Sequence, residues 1–328
     1  MAYTVTQHSF SEIKGTWKKL LATAATNTVF LTPTWHRLWW NAFGADKEAV
    51  YLQIEYGGGP VAVAPLQLAN KTLALAGSTE VCDYLDFVLL GEHCTGALSS
   101  IFDHIGQLAW STLVLHSISG ESPTFAFLQQ LAQDPESPYE TTIELEDVCP
   151  RVELPADWES YLGMLSKKDR HELRRKFRRL ESAGDVQYRI TATTEGLAEE
   201  MDHFFRLMRM SREDKAAFMT PEKEGFFRNV VETFVAKGVG KIFSLTVDGV
   251  RAAAILCFDY TNQRLLYNSG FDQQFSSLSV GLLLKAYALR DAIQQGMTRY
   301  DFLRGNEPYK YDLGGTDSPI YQCTIQRR

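Results

Sequence analysis

The chain repeats one order of helix, strand and turn signals. Each copy starts with a Thr-Pro pair, which combines a good helix N-cap with the residue favoured at the first helical position. Three short strand patterns separated by hairpin-type turn residues follow, and then a further helix and strand. The matched positions, which lie 188, 191 and 192 residues apart, are Thr32 and Thr220, Gly58 and Gly249, and Asn70 and Asn262. Several signals in one order at one interval predict two related α/β domains.

The order of elements within a copy determines the kind of sheet. A meander of antiparallel strands that leads into one parallel crossover gives a mixed sheet, not a doubly wound parallel one. The predicted fold class is therefore α/β, of the α+β type with mixed sheets, in two tandem domains that each hold a mostly antiparallel central sheet flanked by helices. A polar, proline-bearing stretch at 134–156 favours domain limits of 1–145 and 146–328. The second domain includes a predicted basic helix over 157–182.

Composition and motifs exclude several function classes. The 328 residues include 40 acidic and 33 basic side chains, and the net charge of −7 argues against an evenly basic nucleic-acid-binding protein. The five cysteines form no CxxC pair, so we expect free thiols in a reducing compartment and no metal site. Neither a GxGxxG nor a GxxxxGK(S/T) motif is present. Because the sequence shows no signal-peptide pattern and no apolar run of membrane-spanning length, we expect a cytoplasmic protein.

Five sequence stretches carry a resemblance that covers most of the chain. They are TPTWHRLWWNAFG (32–44), VAVAPLQL (61–68), DYLDF (83–87), WESYLGMLSKKDRHELRRKFRRLE (158–181) and YDFLRGNEPYK (300–310). In this order they resemble the CelD-like acetyltransferases of the GNAT superfamily, which are related to the Fem peptidyltransferases. The resemblance implies two tandem GNAT-like domains and direct transfer of an acyl group from acyl-CoA, with acetyl-CoA as the first candidate, to an amine without a metal. A small molecule, an amino sugar or a peptide would be the acceptor.

The resemblance also implies a place for the acyl donor. In such enzymes the sheet splays beside its central strands, and the pyrophosphate of the donor lies at the N-terminus of the following helix, where the helix dipole favours an anion. The second copy offers such a helix start with small side chains and no acid, whereas Glu92 would repel a phosphate in the first copy. The predicted donor contacts are Ser269, Gly270, Phe271, Ser277, Ser279, Val280 and Gly281. The serines alone are also typical helix caps, and the absence of the family's usual Arg/Gln-x-x-Gly-x-Gly/Ala loop leaves another activated donor open.

The YDFLRGNEPYK stretch provides the candidate catalytic groups. An amine nucleophile must lose a proton, and a departing thiolate can gain one, which are roles suited to carboxylates and tyrosines. Glu307 or Asp301 is the predicted base, and Tyr309 or Tyr311 the predicted acid. We interpret the neighbouring cations, Arg304 and Lys310, as contacts to an anion or to the substrate. The alternative interpretation is that the acid caps a turn and the tyrosines only pack.

Two further clusters are candidate substrate contacts. Asp83, Tyr84 and Asp86 place two acids beside an aromatic ring, a pattern that suits a cationic amine, although aspartates are also common in turns. Arg170, Arg174 and Arg178 recur every four residues in the basic helix and would project together. Such a helix is compatible with a phosphate-bearing acceptor, with tRNA, with peripheral contact to an anionic membrane, or with a simple solvated face.

Two other functions therefore remain open beside acyl-CoA-dependent transfer. One is a Fem-like transferase that takes its acyl group from aminoacyl-tRNA, for which tRNA is a partner. The other is a binding module that retains the fold without donor chemistry, since a fold alone does not determine the reaction.

Overall fold

A computed structural model describes residues 2–328. The strands are β1 (Tyr3–His8), β2 (Glu48–Tyr56), β3 (Gly59–Ala69), β4 (Thr72–Leu75), β5 (Val88–Leu89), β6 (Thr112–Ser119), β7 (Tyr139–Val148), β8 (Arg151–Glu153), β9 (Val186–Thr191), β10 (Gly240–Val247), β11 (Val250–Tyr260), β12 (Gln263–Phe271), β13 (Arg299–Asp301) and β14 (Pro319–Arg327). The helices are α1 (Phe10–Leu21), α2 (Pro33–Phe43), α3 (Cys94–Ile105), α4 (Pro123–Gln133), α5 (Trp158–Met164), α6 (Lys167–Glu181), α7 (Leu197–Ser211), α8 (Glu213–Phe218), α9 (Pro221–Ala236), α10 (Val280–Gln294) and α11 (Pro308–Asp312).

Two compact units divide these residues. Unit 1 comprises residues 2–148 and Ser318–Arg328, and unit 2 comprises Cys149–Asp317. The sheet of unit 1 has the order β1-β2-β3-β4-β6-β14-β7, with β5 beside β3, and the sheet of unit 2 has the order β8-β13-β12-β11-β10-β9. In each sheet an antiparallel meander leads to one parallel pair, β4 with β6 and β12 with β13. The prediction of two mixed sheets flanked by helices is confirmed.

The hairpin turns explain why the two copies share this topology. A type I′ turn needs a positive φ at both central residues and matches the twist of the flanking strands. Both copies have two turns with this property, at equivalent places in the meander. The pairs, with their φ angles, are Gly57 and Gly58 (62° and 81°), Asn70 and Lys71 (48° and 62°), Asp248 and Gly249 (49° and 77°), and Thr261 and Asn262 (49° and 60°).

The helix that opens each copy also begins as predicted. The Thr32 hydroxyl accepts the Trp35 N–H, with proline at the first position of α2. The Thr220 hydroxyl accepts the Lys223 N–H, again with proline first, at the start of α9. Each side chain satisfies one backbone N–H that the helix itself leaves without a partner.

The C-terminal strand lies in unit 1 although it follows unit 2 in the chain. Strand β14 pairs antiparallel with both β6 and β7. Its buried positions, Ile320, Cys323 and Ile325, face the unit 1 core, and the strand covers an edge of β6 that would otherwise present unpaired backbone groups. The sequence limits of 1–145 and 146–328 follow chain order, whereas the structure returns Ser318–Arg328 to the first unit.

The basic segment is two helices and not the single predicted helix. Leu165 is extended, with φ −69° and ψ 152°, which ends α5. The Ser166 hydroxyl then accepts the Asp169 N–H at 3.1 Å and begins α6. A serine followed three residues later by an acid is a helix-start signal, and here it interrupts the helix predicted over 157–182.

Candidate functional site

The sheet of unit 2 opens along one strand. Strand β13 pairs with β12 only from Gln263 to Leu265, so the rest of β12, up to Phe271, has no β13 partner. The chain leaves β13 at Phe302, whose N–H donates to the Pro150 carbonyl at 2.9 Å. A shift in the β11–β12 register makes Tyr267 an extra residue, and such a bulge bends its strand. The C-terminal half of β12 therefore has an open edge.

Side chains, and not a strand, meet this open edge. The Ser269 N–H donates to Asn268 Oδ1 at 2.9 Å, and the Ser269 carbonyl accepts from Lys215 Nζ at 2.6 Å. In a β-strand the N–H and the carbonyl of one residue point to the same edge. In Ser269 both of these groups point away from β11. Beside it, a Cβ on Gly270 would lie 2.3 Å from the Met208 backbone nitrogen, so α7 can pack here only against glycine.

The start of α10 lies directly after β12 and a 3₁₀ turn at Gln273–Leu278. Its N-cap, Ser279, is left-handed with φ 57° and makes no capping bond with its side chain. The first helical bond runs from the Leu283 N–H to the Ser279 carbonyl, so the three preceding N–H groups have no partner within the helix. Arg179 of α6 donates to Ser279 Oγ at 3.0 Å. A helix N-terminus with an arginine beside it favours an anion.

A buried lysine orders the loop after β13. Lys310 is 1% exposed, and its Nζ donates to the carbonyls of Leu303 (2.7 Å), Arg304 (2.7 Å) and Gly305 (2.9 Å). Leu303 has φ 57° and Gly305 φ 107°, and a Cβ at Gly305 would lie 2.7 Å from Glu307 Oε2. The loop therefore turns sharply around the ammonium group and brings Glu307 against its own backbone.

Glu307 is held ionised by Lys310. Its Oε2 lies 3.0 Å from Lys310 Nζ, whose three hydrogens are already directed to carbonyl oxygens, so the contact is mainly electrostatic. Burial raises the pKa of Glu307, but Lys310 outweighs this effect and the net pKa is lowered. The side chain is 43% exposed. This group is a negative, accessible proton acceptor at neutral pH.

Two further lysines, Lys285 and Lys215, lie near the pair of Glu307 and Lys310. Lys285 is 6% exposed; its Nζ donates to the Gly281 carbonyl at 3.1 Å and lies 4.5 Å from the centre of the Tyr309 ring. Burial lowers the pKa of Lys285 to about 7 and that of Lys215 to about 8. The charge of Lys215 lowers the pKa of Lys285 further, and the charges of Arg212 and Lys310 lower the pKa of Lys215 further. Burial also raises the pKa of Tyr309, so its hydroxyl stays protonated.

The other predicted groups of this stretch lie apart from Glu307 or serve the loop. Asp301 is 4% exposed and accepts the Leu303 N–H at 2.7 Å, so it caps the turn after β13. Tyr311 is exposed, and its hydroxyl donates to Asp317 at 2.7 Å. Arg304 is partly buried in the loop, and Ser277 is exposed in the 3₁₀ turn. The loop thus brings together Glu307, Tyr309 and Lys310.

The predicted acidic cluster lies in unit 1. Asp86 is 4% exposed and accepts from the Ser122 and Thr124 hydroxyls, both at 2.5 Å, and from the Phe87 N–H at 2.8 Å. Burial raises the pKa of Asp86 to about 6, although these hydrogen bonds oppose the shift. Its carboxylate thus connects its own loop to the start of α4. Tyr84 is 8% exposed, and Asp83 is partly exposed.

The predicted arginine set of α6 is dispersed over different partners. Arg170 donates to the Leu162 carbonyl at 3.4 Å, Arg174 pairs with Glu159 at 2.8 Å, and Arg178 is exposed. The arginine that reaches the start of α10 is Arg179, which the every-fourth-residue pattern does not include.

Sequence reasoning missed Arg179, Lys215, Asn268 and Lys285. One of them carries a sequence signal, because Lys285 interrupts the apolar run GLLLKAYAL at 281–289, where a charge on a buried helix is unusual. The other three come to the site from α6, α8 and β12 through tertiary packing, which no local spacing records.

A groove of about 710 Å³ lies elsewhere in unit 2, between α7 and the β9–β11 strands. Its basic lining residues are Arg189, His203, Arg206 and Arg251. None of its lining residues belongs to β12, α10 or α11. Across residues 2–328, no group of three or more metal-type ligands is found, and no helix combines the length and apolarity that crossing a bilayer requires.

Comparisons with known proteins identify the fold. Residues 167–311 match the family model described as an acetyltransferase (GNAT) domain. No curated protein matches the sequence. Among solved structures, FemX is 10% identical with a TM-score of 0.65, over 98% of this chain and 96% of that one. The C-terminal domain of a putative lysylphosphatidylglycerol synthetase from Agrobacterium fabrum is 9% identical with a TM-score of 0.61, over 96% and 92%.

A second structure of related name supports the same conclusion. The L-PGS from Bacillus licheniformis is 11% identical with a TM-score of 0.57, over 94% of this chain and 90% of that one. At such identities the likeness concerns the fold. Together with the matched domain model, it shows that the chain has the architecture of two GNAT-like domains, and residues 167–311 of unit 2 are the part that matches the acetyltransferase (GNAT) domain model.

Proposed function

We propose that the protein is an N-acyltransferase of the CelD-like type, which moves an acyl group, with acetyl as the first candidate, from acyl-CoA to an amine. The acceptor would be a small molecule, an amino sugar or a peptide. The reaction would take place in unit 2. The observation that carries this proposal is the open edge of β12, which ends at the uncapped N-terminus of α10.

The residues between the open edge of β12 and the N-terminus of α10 suit an acyl-CoA. The N–H and carbonyl of Ser269 face the open edge and can pair with an extended amide chain once the side chains of Asn268 and Lys215 move aside. The N–H groups at the start of α10 and the Arg179 guanidinium suit a pyrophosphate. No acid lies from Phe275 to Leu284 to repel it. When bound, acyl-CoA supplies an activated acyl thioester.

The side chains after β13 can perform the proton transfers. Glu307 accepts a proton from the attacking amine as the nitrogen–carbon bond forms and the carbon–sulfur bond breaks. The backbone N–H of Phe271, which lies on the same open side of β12 as that of Ser269, polarises the carbonyl oxygen. Tyr309, which stays protonated, donates to the departing sulfur. Lys310 positions Glu307 and keeps it negative.

Thermal unfolding with acetyl-CoA, longer acyl-CoAs and free CoA tests this proposal. A ligand at 100 times its Kd stabilises the folded state by about 2.7 kcal/mol, which is a readily measured shift. We expect Arg179→Met to reduce the shift and the control Arg206→Met to leave it unchanged, because Arg206 lines the separate groove. The absence of a shift with every CoA compound would contradict the proposal.

A second candidate donor is aminoacyl-tRNA. The observation that favours it is the Arg179–Ser279 contact, which joins the basic helix α6 to the start of α10 and extends the positive surface along α6. The test replaces Arg170, Arg174 and Arg178 together by Glu and measures retention of charged tRNA against salt. For this donor we expect weaker binding and a salt slope smaller by about three. Reversal of Arg189 and Arg206 in the groove is the matched control.

The same charge-reversed variant distinguishes a membrane role for α6. Vesicles that contain anionic lipid would retain the wild-type chain and release the variant if the helix contacts a membrane surface. Retention of neither tRNA nor vesicles, together with stabilisation by an acyl-CoA, would leave acyl-CoA as the donor.

A further inference from the structure

We propose that Lys215 and Lys285 form a subsite for a carboxylate on the acyl group or on the amine acceptor. This inference rests on the proposed transferase function and specifies the chemistry of its substrate.

Lys285 is a buried cation without an acid. It is 6% exposed, and in the described part of the chain no carboxylate lies within 4.0 Å of its Nζ. One of its three hydrogens is directed to the Gly281 carbonyl at 3.1 Å, which leaves two for another acceptor. Buried ammonium groups are ordinarily paired, because desolvation without a partner is costly. An anionic ligand would supply the missing partner.

The nearest acid does not fill this role. Glu307 lies 3.0 Å from Lys310 Nζ and is thereby committed to a different lysine. Lys215 likewise has no carboxylate within 4.0 Å among the described residues; its Nζ donates to the Ser269 carbonyl at 2.6 Å and to Asn268 Oδ1 at 3.4 Å. The cluster of Lys215, Lys285, Lys310 and Glu307 therefore carries three basic groups against one acid.

The two lysines lie next to the part of β12 where we propose that acyl transfer takes place. Lys285 lies one helical turn after Gly281 on the face of α10 that meets β12, since a Cβ on Gly281 would lie 3.1 Å from the Phe271 ring. Lys215 reaches the same strand at Ser269. An anion bound by both would lie between the first turn of α10 and Ser269 of β12, beside the proposed site of acyl transfer.

The charge of the pair favours a carboxylate over a phosphate. Because burial lowers the pKa of Lys285 to about 7 and that of Lys215 to about 8, the pair carries between one and two positive charges near neutral pH. The other charged groups that face it are Glu307 and Lys310 of the α11 segment and Arg212 and Asp214 beside α8. A singly charged carboxylate neutralises the pair more closely than a phosphate dianion, which Glu307 would also repel.

Two sources of the carboxylate are separated by calorimetry on the full chain. One arm compares succinyl-CoA with acetyl-CoA, and the other compares L-lysine with cadaverine, which lacks only the carboxylate. We expect at least a tenfold preference for the carboxylate in one arm. The preference should disappear in Lys285→Met and persist in Lys237→Met, a control at an exposed lysine after α9. The arm with the preference identifies the source.

Proton uptake gives a readout independent of turnover. A carboxylate beside Lys285 raises its pKa, so binding at pH 8 should take up a proton, measured as a dependence of the binding heat on the buffer's ionisation enthalpy. Lys285→Met should abolish this uptake. If neither arm shows a preference that depends on Lys285, the inference is overturned.

Kinetics distinguishes a carboxylate subsite from catalysis by Lys285. A subsite predicts that Lys285→Met raises KM for the carboxylate-bearing substrate far more than KM for its neutral analogue. An equal loss of kcat with both substrates would overturn the inference while the transferase proposal stands. Failure of acetyl-CoA and succinyl-CoA alike to bind would instead contradict the proposed donor.

Discussion

The two units differ at the one place where their shared fold opens. In both, a short parallel pair follows the meander: β4 with β6 over Thr72–Ala74, and β12 with β13 over Gln263–Leu265. In unit 1 the strand ends at Leu75 and the chain turns back, so that the Leu85 N–H donates to the Ser117 carbonyl at 3.1 Å. In unit 2 the strand continues to Phe271 and its edge meets only side chains.

The two units fill this gap with different groups. A Cβ on Gly77 would lie 2.6 Å from the Leu85 side chain, and Asp86 beside it is bonded to two hydroxyls, so the opening of unit 1 is packed with its own chain. The corresponding space in unit 2 is lined by Lys215 and Lys285. On the proposed function, the first gap contributes to stability and the second holds the reacting groups.

The largest expected effect separates the two units by activity. Glu307→Gln removes the proposed proton acceptor of unit 2 while retaining its shape. We expect acyl transfer to fall by about 10²–10⁴-fold, the usual contribution of a general base, and the loss to be partly recovered at high pH, where more of the amine is already neutral. Initial rates from pH 6 to 10 measure both effects.

Glu232→Gln, at an exposed position of α9, is the control and should leave the rate unchanged. Full activity of Glu307→Gln would remove the chemical assignment from this loop. Thermal unfolding checks that the variant folds; we expect a small loss of stability, because Lys310 loses its ion pair with the partly exposed Glu307 but keeps three carbonyl acceptors.

The fold was more accessible from sequence than the site because its signals are local. A Gly-Gly or Asp-Gly pair determines a hairpin turn by its own φ preference, and the turns at Gly58 and Gly249 could be predicted from these residues alone. The lysine cluster has no such local cause. Lys215 and Lys285 are 70 residues apart and meet only because α10 packs on β12 and the Lys215 side chain reaches Ser269 of the same strand.

The placement of β14 and the environment of Asp86 also have no local sequence signal from which they could be predicted. Nothing near Ile320 distinguishes a strand that extends the nearby sheet from one that returns to the first. Asp86 and Asp83 look alike in sequence, yet only Asp86 meets two hydroxyls from the start of α4, 36 and 38 residues further along. The sequence thus predicts which elements form and leaves open which side chains converge.

The next largest effect is on the free energy of unfolding and concerns the ion cluster beside the parallel strands β12 and β13 of unit 2. Arg264 at the start of β12 is fully buried and bonds Asp259, Asp291 and the Ala288 carbonyl at 2.6–2.8 Å. The equivalent strand of unit 1 starts with the uncharged Thr72. We expect Arg264→Met to cost about 3–5 kcal/mol in the free energy of unfolding, because two acids lose their buried partner.

Urea unfolding followed by circular dichroism measures this change. Arg299→Met is the control, since its pair with Glu153 is largely exposed and should contribute less than about 1 kcal/mol. A cost of Arg264→Met as small as that of the control would show that the ion cluster does not stabilise the parallel pair.

A smaller effect is the pH dependence of stability that Asp86, in the packed gap of unit 1, should produce. Burial raises the pKa of Asp86 from its ordinary value of 3.8 to about 6. Between these values the folded state keeps a proton that the unfolded state releases, so stability is highest below about pH 4 and falls as the pH rises to about 6. The loss is on the order of 3 kcal/mol at most. Asp86→Asn should remove this slope.

Tryptophan fluorescence during urea unfolding at pH 4 to 7 suits this measurement, because Trp17, Trp35, Trp39, Trp40 and Trp110 lie in unit 1 and only Trp158 lies in unit 2. Other acids also contribute to the total slope, so the quantity to compare is the difference between wild type and variant. An identical slope in both would mean that Asp86 stays ionised in the folded protein.

The smallest effect compares two helix starts that look alike in sequence. The Thr32 hydroxyl accepts the Trp35 N–H at 3.1 Å and donates to the Val29 carbonyl at 2.8 Å, and the residue is 9% exposed. The Thr220 hydroxyl accepts the Lys223 N–H at 3.3 Å at an exposed position. Thr32→Ala should cost about 2 kcal/mol and Thr220→Ala about 0.5 kcal/mol, the two ends of the range for N-cap removal.

The difference follows from access to water. In Thr220→Ala the freed N–H can bond water, whereas in Thr32→Ala a buried N–H and a buried carbonyl lose their partner together. Urea unfolding monitored by fluorescence for Thr32→Ala and by circular dichroism for Thr220→Ala gives the two costs. Equal costs would mean that the cap itself determines the energy of each helix start; unequal costs in the expected order would show that the repeated Thr-Pro signal determines where a helix begins, while burial determines how much that beginning contributes to stability.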